Sequence, residues 1–326
     1  MGGPMKASVN TRYGSPDVLQ MLDVPVPDPG PGEVLVRVHA TTVNRTDACA
    51  LRAHPWFMRL ESGLVRPKRT VLGLDFAGTV AGTGAGVAGF RDGQRVFGLT
   101  PGGHGAHAEY LVMPADGAIA EMPKGLAFRD AVLCEGAWYA NTYLSAFGLR
   151  RGQRILIYGG SGAIGTAAVQ LAKSCGAYVT AVVATQHLDL ARDLGADEVI
   201  DYTAKDFTAS GGTYDFVLDA VGKTTYGACK PLLTPDGTFA ATDLGPWWQN
   251  IWLALWYSTI GSRRVLMPMP SGGKDVVACI KQRVEAGELR AVVDRSYPFD
   301  RIAEAYRYVD TAQKTGIVVI EVAPEN

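Results

Sequence analysis

At 326 residues the chain is long for one domain, and two are the better expectation. Its 47% hydrophobic and 19% charged residues are those of an ordinary globular protein. A formal charge of −1 lacks the basic excess of a nucleic-acid-binding face, so no nucleic-acid partner is expected. Five cysteines, Cys49, Cys134, Cys175, Cys229 and Cys279, lie far apart with no C-x-x-C pair. An odd, scattered set reads as the reduced thiols of a cytoplasmic protein, not as a disulfide framework.

The opening "MGGPMKAS" has no long apolar core of a signal peptide. Gly2 makes no myristoylation site, because Lys6 stands where Ser or Thr is required; Met5 is a second candidate start. No uninterrupted apolar run reaches the roughly 18 residues of a spanning helix, so no integral membrane segment is expected.

From Met5 to about Glu121 the chain reads as short strands broken by Gly, Pro and Asp: "KASVNTRYG", "EVLVRVHATTVN", "FAGTVAGTGAGV", "QRVFGL" and "EYLVMP". That pattern predicts a mostly β domain. The rhythm changes near Pro123. "RILIYGG", "YVTAVVA", "EVIDY", "YDFVLDAVG", "GTFAAT" and "RRVLMPMP" read as strands, with "GTAAVQLAKSCG" and "LDLARDLG" as helices among them. Strands alternating with helices predict a doubly wound parallel sheet. After Pro270, "KDVVACIKQRVEAGEL" and "RIAEAYRYVDT" are helical and "GIVVIEV" is a closing strand, expected to return to the first domain.

In "RILIYGGSGAIGTAAVQLA", Gly160, Gly162 and Gly165 form G-x-G-x-x-G after a strand and at the start of a helix. In such a loop the first glycine permits a tight turn, and the second lets backbone approach a pyrophosphate. The third lets helix and strand pack closely, and the helix N-terminus offers N–H groups to the anion. The next strand ends Ala184, Thr185, Gln186, His187, without the carboxylate that would hold the 2′-hydroxyl of NAD. NADP(H) is therefore the expected cofactor with NAD(H) still open, and Thr185 and His187 are either hydrogen-bond donors to it or simply the start of a helix.

At this point the chain resembles the zinc-free, quinone-oxidoreductase-like (zeta-crystallin-like) branch of the medium-chain dehydrogenase/reductase superfamily. The likeness runs through "PGPGEVLVRVHATTVNRTD", "LGLDFAGTVAGTGAGVAGFRDGQRVFG", "HAEYLVMP", "GSGAIGTAAVQLAKSCGA", "LGADEVIDY" and "DFVLDAVG". The resemblance implies an α/β fold with a GroES-like, mostly β catalytic domain over residues 1–124 and 271–326. A Rossmann domain over 125–270 would be inserted into it, with cofactor and substrate in the cleft between them, and a homodimer. Zinc-dependent relatives carry G-H-E where this chain has Gly73, Leu74 and Asp75, and a cysteine where Asn44 precedes Thr46 and Asp47. Too few ligands remain for zinc, so no metal is expected, although His104, His107 and Glu109 offer a weaker metal reading.

Without a Lewis acid, hydride delivery suits an acceptor that is already electrophilic and conjugated: a quinone or an α,β-unsaturated carbonyl. Carried over from the resemblance, Asn44 lies by the nicotinamide ribose or the substrate carbonyl, and Asp47 is an actor there or a structural partner. Gly159, Gly162 and Gly165 match the A-x-x-G-x-x-G phosphate loop, which includes Gly160, Ser161, Ala163 and Ile164. Lys173 and Tyr202 fall on the adenosine phosphate side, or else are a solvated helix residue and a packed strand end. Val221 approaches the nicotinamide ribose through its backbone. "CEGAWYANTY" departs from the family's "G-L-T-A", placing Trp138 near the nicotinamide with Glu135 and Tyr139 beside it. The tyrosine that often donates a proton in enoyl reductases is missing after Asn44. Tyr139 or His54 is the candidate polar group facing substrate, against core packing for Tyr139 and loop surface for His54. A dedicated enoyl or alkene reductase in a biosynthetic pathway, and a cofactor-binding protein with little turnover, are the alternative functions.

Four of the six tryptophans fall in "PWWQNIWLALWY", inside a stretch from Leu244 to Ser262 without charge. As a helix, "IWLALWYSTI" is about 15 Å long at 1.5 Å per residue, half of a bilayer core. Trp248, Trp252 and Trp256 are spaced i, i+4, i+8 and predict one face. That face is a core or dimer stripe, a substrate pocket in which Trp247 or Trp248 stacks on the acceptor, or a peripheral membrane contact.

Overall fold

The computed structural model describes residues 3–100, 102 and 104–324; Met1 and Gly2, on which the N-terminal reading turns, lie outside them. The chain divides into two compact units. One comprises the chain up to Glu135, Gly272–Glu285 and Ala291 onward; the other comprises Gly136–Ser271 and Ala286–Arg290.

The first unit opens with an antiparallel pair, β1 (Pro4–Asn10) and β2 (Leu19–Pro25). β3 (Glu33–Val43) is buried along nearly its whole length, because both of its faces are covered. The helix α1 (Arg45–Arg52) follows it, then β4 (Asp75–Thr83), β5 (Arg95–Leu99), β6 (Tyr110–Pro114) and β7 (Ile119–Glu121). α2 (Cys134–Phe147) leads into the second unit.

That unit is a six-stranded parallel sheet. Its elements are β8 (Arg154–Tyr158), α3 (Ala163–Ser174), β9 (Tyr178–Val183), α4 (Leu188–Asp193), β10 (Glu198–Asp201), β11 (Tyr214–Asp219), β12 (Leu233–Ala241), α5 (Gln249–Thr259) and β13 (Val265–Leu266). The order β10-β9-β8-β11-β12-β13 reverses direction between β8 and β11, the switch point at which doubly wound sheets bind ligands. Leu156, Val182, Val217 and Phe239, one from each of four strands, pack into one buried apolar cluster.

The chain then adds α6 (Lys274–Glu285), β14 (Val293–Pro298), α7 (Ile302–Asp310) and β15 (Ile317–Glu321) to the first unit. β15 pairs antiparallel with β3 and parallel with β14, in the sheet order β14-β15-β3-β4-β5-β7. α1 and α7 close one face over Leu51, Leu72, Tyr306 and Ile320.

Two sequence expectations are corrected. "RRVLMPMP" yields only the two-residue β13, because its prolines cannot donate to a ladder. The three-tryptophan stripe shrinks to two: Trp247 and Trp248 hold left-handed backbone (φ 54° and 58°) ahead of α5. Nor is the stripe a core, since Trp252 and Trp256 are 62% and 63% exposed.

Candidate functional site

In the parallel-sheet unit the strand ends gather the glycine loop. Gly159 has φ +80°, so the left-handed turn after β8 falls there and not on Gly160, as the G-x-G-x-x-G reading had it. A Cβ on Gly165 would stand 2.0 Å from the Gly159 carbonyl oxygen, whereas one on Gly162 would meet nothing closer than 3.7 Å. Gly165 is therefore required for close packing, and Gly162 leaves open space at the N-terminus of α3. No side chain caps α3, so its first-turn N–H groups stay available to an anion. Ser161 and Ile164 are half-buried beside them, and Ala163 is buried. Gly136, unread from sequence, admits α2 against this turn: a Cβ there would lie 2.6 Å from the Ala163 carbonyl oxygen.

Across the switch point, Asp219 at the end of β11 is fully buried and acts as a clamp. Its carboxylate accepts from the backbone N–H groups of Val221, Gly222 and Thr224 at 3.0, 2.8 and 2.8 Å. Burial raises its pKa, and those amides oppose the rise. The clamp sets the loop whose Val221 side chain packs on Gly159. An aspartate at a strand end, followed by a glycine with φ +69°, is the signal that could have found it.

At the end of β9, Thr185 donates to Asp201 Oδ2 at 2.6 Å, and Thr203 donates to Oδ1. These hydrogen bonds hold the Asp201 carboxyl below its usual range. His187 is half-buried one turn on, and Tyr202 is 47% exposed with its ring 6.0 Å from Tyr158. Lys173 does not join this group. It lies at the far end of α3 from the glycine loop, paired with Asp197 at 2.5 Å. On α2, Trp138 and Tyr139 are half-buried neighbours (6.0 Å, edge-on), and the Trp138 indole donates to the Ser271 carbonyl. Trp247 is 96% exposed, and Trp248 sits beside it.

The first unit carries a buried polar cluster at the junction of β3, α1 and β4. Asn44 and Asp47 form a capping box at the start of α1, with the Asn44 N–H donating to Asp47 Oδ2 at 2.8 Å. The Asn44 amide donates to Thr42 Oγ1 at 2.8 Å, and Thr42 donates to Asp75 Oδ2 at 3.0 Å. The Glu135 backbone N–H donates to Asp75 Oδ1 at 2.8 Å, and Thr46 Oγ1 donates to Glu135 Oε1 at 2.5 Å. Behind them, His107 Nε2 donates to the Thr42 carbonyl, and Tyr306 hydrogen-bonds the other ring nitrogen.

Burial, with the Glu135 charge adding to it, pushes Asp75 up to about 7. It lifts Asp47 well above the carboxylate range and raises Glu135 against the pull of Thr46 and Lys314. Burial also drives His107 down to about 4, so it is neutral. His54 is exposed, one residue beyond the left-handed C-cap of α1.

These residues do not fit zinc. Leu74 supplies no donor, both Asp75 oxygens accept from protein N–H and O–H groups, and both His107 nitrogens are engaged. His104 and Glu109 diverge from His107: Glu109 accepts from the Lys6 N–H. Among the described residues no three His, Cys, Asp or Glu side chains group for a metal. A dinucleotide does fit the second unit, where an uncapped helix end faces the space beside Gly162 at the switch point.

A Rossmann dinucleotide-binding sheet in one chain with a GroES-like β unit is the class this fold and loop define. The family described as alcohol dehydrogenase GroES-like domain matches residues 30–124, and that described as zinc-binding dehydrogenase matches residues 194–320. The chain is 30% identical to the chloroplastic quinone-oxidoreductase homolog of Spinacia oleracea, covering 94% of this chain and 95% of that one. It is 31% identical to the 2-methylene-furan-3-one reductase of Solanum lycopersicum, covering 98% and 80%. The quinone oxidoreductase structure from Coxiella burnetii matches with a TM-score of 0.85 at 24% identity, over 98% of this chain and 100% of that one. The chain belongs to the medium-chain dehydrogenase/reductase family, in its zinc-free quinone-oxidoreductase-like branch.

Proposed function

We propose that this protein is an NAD(P)H-dependent, zinc-independent oxidoreductase that reduces a quinone or an α,β-unsaturated carbonyl. The observation that carries this reading is the glycine loop at the switch point, in a chain whose other unit holds a polar cluster without a zinc donor set. The names of the relatives agree: one is a quinone-oxidoreductase homolog and the other reduces an enone. A bound reduced nicotinamide supplies the hydride. Gly159, Gly160, Ser161, Gly162, Ala163, Ile164 and Gly165 would cradle the phosphates, and Val221 would approach the nicotinamide ribose. Thr185, His187 and Tyr202 would border the adenosine; Lys173, tied to Asp197, has no part there.

NADPH is the proposed preference, with NADH accepted. The end of β9 carries no carboxylate, and the nearby Asp201 oxygens are taken by threonine groups. Asn44, Tyr139, His54 and Trp138 are the proposed acceptor-side residues, with Asp47 a structural partner that caps α1. The domain limits proposed are residues 1–124 with 271–326, and 125–270. A homodimer is proposed because Trp252 and Trp256 stay exposed among the described residues. Five cysteines scattered along the chain with no C-x-x-C pair support a reducing compartment such as the cytoplasm. No helix of the described residues is long and apolar enough to cross a membrane. A screen of NADPH and NADH oxidation against quinones, enones and saturated aldehydes, with product identification, tests the reading. Reduction of the conjugated acceptors with the aldehydes untouched is expected, and turnover of saturated aldehydes alone contradicts it.

A further inference from the structure

Residues 54–69 form a lobe of the first unit that follows α1. The chain is helical without a break from Trp56 to Ser62, so Trp56 and Leu60 share a face with Arg59 beside them. Gly63 then turns the chain with φ +121°; a Cβ there would stand 2.1 Å from the Arg66 carbonyl oxygen. The Lys68 N–H donates to the Ser62 carbonyl at 2.8 Å and closes the turn, which leaves Leu64 and Val65 at its tip. Tyr13 holds the base: its hydroxyl donates to the Gly63 carbonyl at 2.8 Å, and Arg59 lies 5.0 Å from its ring centre. On this fixed frame four large apolar side chains meet solvent. Trp56, Leu60, Leu64 and Val65 are 65%, 66%, 67% and 82% exposed. Apolar side chains gathered on one exposed lobe mark an interaction surface.

Charge says what kind of partner fits. Arg59, Arg66, Lys68 and Arg69 are exposed on the same lobe, against the single carboxylate of Glu61. The α5 face of the other unit is the contrast. Its exposed Trp252 and Trp256 lie in a stretch, Leu244 to Ser262, that carries no charge. An uncharged apolar face suits an apolar protein surface. An apolar tip flanked by cations suits a partner that is anionic at its skin and apolar just beneath, which describes a bilayer of acidic lipids. We propose that this lobe is a peripheral membrane-binding surface for an anionic phospholipid bilayer. Leu64 and Val65 enter the headgroup region, the Trp56 indole sits at the interface, and the cations meet lipid phosphates. The lobe lies on the bilayer and does not span it, and the contact needs neither cofactor nor acceptor.

Sedimentation of the full chain with vesicles of phosphatidylcholine and phosphatidylglycerol in equal parts tests this. The protein should pellet with those vesicles and stay in solution with pure phosphatidylcholine. It should be released at about 1 M salt, where the screening length is about 3 Å. Arg66→Ala combined with Lys68→Ala should weaken binding by about 30-fold, from about 1 kcal/mol per cation near an anionic surface. Leu64→Ser combined with Val65→Ser should weaken it by about tenfold or more. Both pairs should keep the wild-type unfolding midpoint, because all four side chains are exposed. Vesicles should shift tryptophan emission to the blue; Trp56→Phe should remove that shift, and Trp252→Phe with Trp256→Phe should keep it. Binding to neither vesicle, equal binding to both, or unchanged binding by the Arg66 and Lys68 pair overturns the proposal. A shift lost with Trp252 and Trp256 instead of Trp56 overturns the location. Tighter binding to a single-stranded RNA oligomer than to the anionic vesicles would make the cations a nucleic-acid site and overturn it too.

Discussion

Gly165 and Glu135 stand in regions built by opposite means. Around Gly165 the structure is backbone against backbone, and its rule is steric: where a Cβ would lie 2.0 Å from a carbonyl oxygen, only glycine serves. Around Glu135 the backbone is ordinary and side chains do the organising, through a run of hydrogen bonds from Asn44 to Thr42 to Asp75 to the Glu135 amide. At Gly165 no added atom is tolerated, and around Glu135 no lost partner. Substitutions should separate them.

The largest effect is expected at Gly165→Ala, where backbone must move. It should cost about 3 kcal/mol or more of stability and abolish measurable nicotinamide binding by fluorescence titration. Gly162→Ala should cost less than about 1 kcal/mol, since its Cβ enters open space, and weaken the cofactor only. Equal losses would break the steric account of the loop. Asp219→Ala comes next. It strands three N–H groups of a buried turn and should lower stability by about 2–3 kcal/mol in chemical denaturation.

The polar cluster should show itself through pH. Asp75 titrates at about 7 when folded against 3.8 when free, so between those values the native state keeps a proton the unfolded chain has lost. Its contribution is therefore full below about 4, falls as pH rises through the window by up to about 1.4 kcal/mol per unit, and is flat above about 7. Asp75→Asn should remove that slope, as unfolding curves at pH 5, 6, 7 and 8 would show. An identical slope in the variant would mean that Asp75 does not hold the proton.

Smaller effects lie at the rim. Asp201→Asn removes a negative charge beside Thr185 and should raise the NADPH over NADH preference in kcat/KM by about threefold to tenfold. Lys173→Ala should leave cofactor affinity unchanged and cost less than about 1 kcal/mol, because its pair with Asp197 is solvent-facing.

What was legible in the sequence follows the same division. The glycine loop and the parallel strands could be read because glycine spacing and apolar runs are local signals. The order of β15 beside β3 was reachable only weakly, since pairing across the whole chain leaves no local mark. α1 and α2 went unread: the first is eight residues, and the second mixes Trp, Tyr, Asn and Thr without a clean apolar stripe. Lys173 was misplaced because position on a helix, not proximity to the glycine motif, decides which end a side chain serves. Glu135 was seen only as a neighbour of Trp138. Its contact with Thr46 spans 89 residues, and no spacing rule reaches that far.

The measurement that bears most directly on the account is product analysis of methyl vinyl ketone reduced by the wild-type protein under NADPH with a zinc chelator present. The account predicts butan-2-one, formed by hydride addition at the β-carbon, at an undiminished rate. But-3-en-2-ol as the product, or a rate abolished by the chelator, would contradict it.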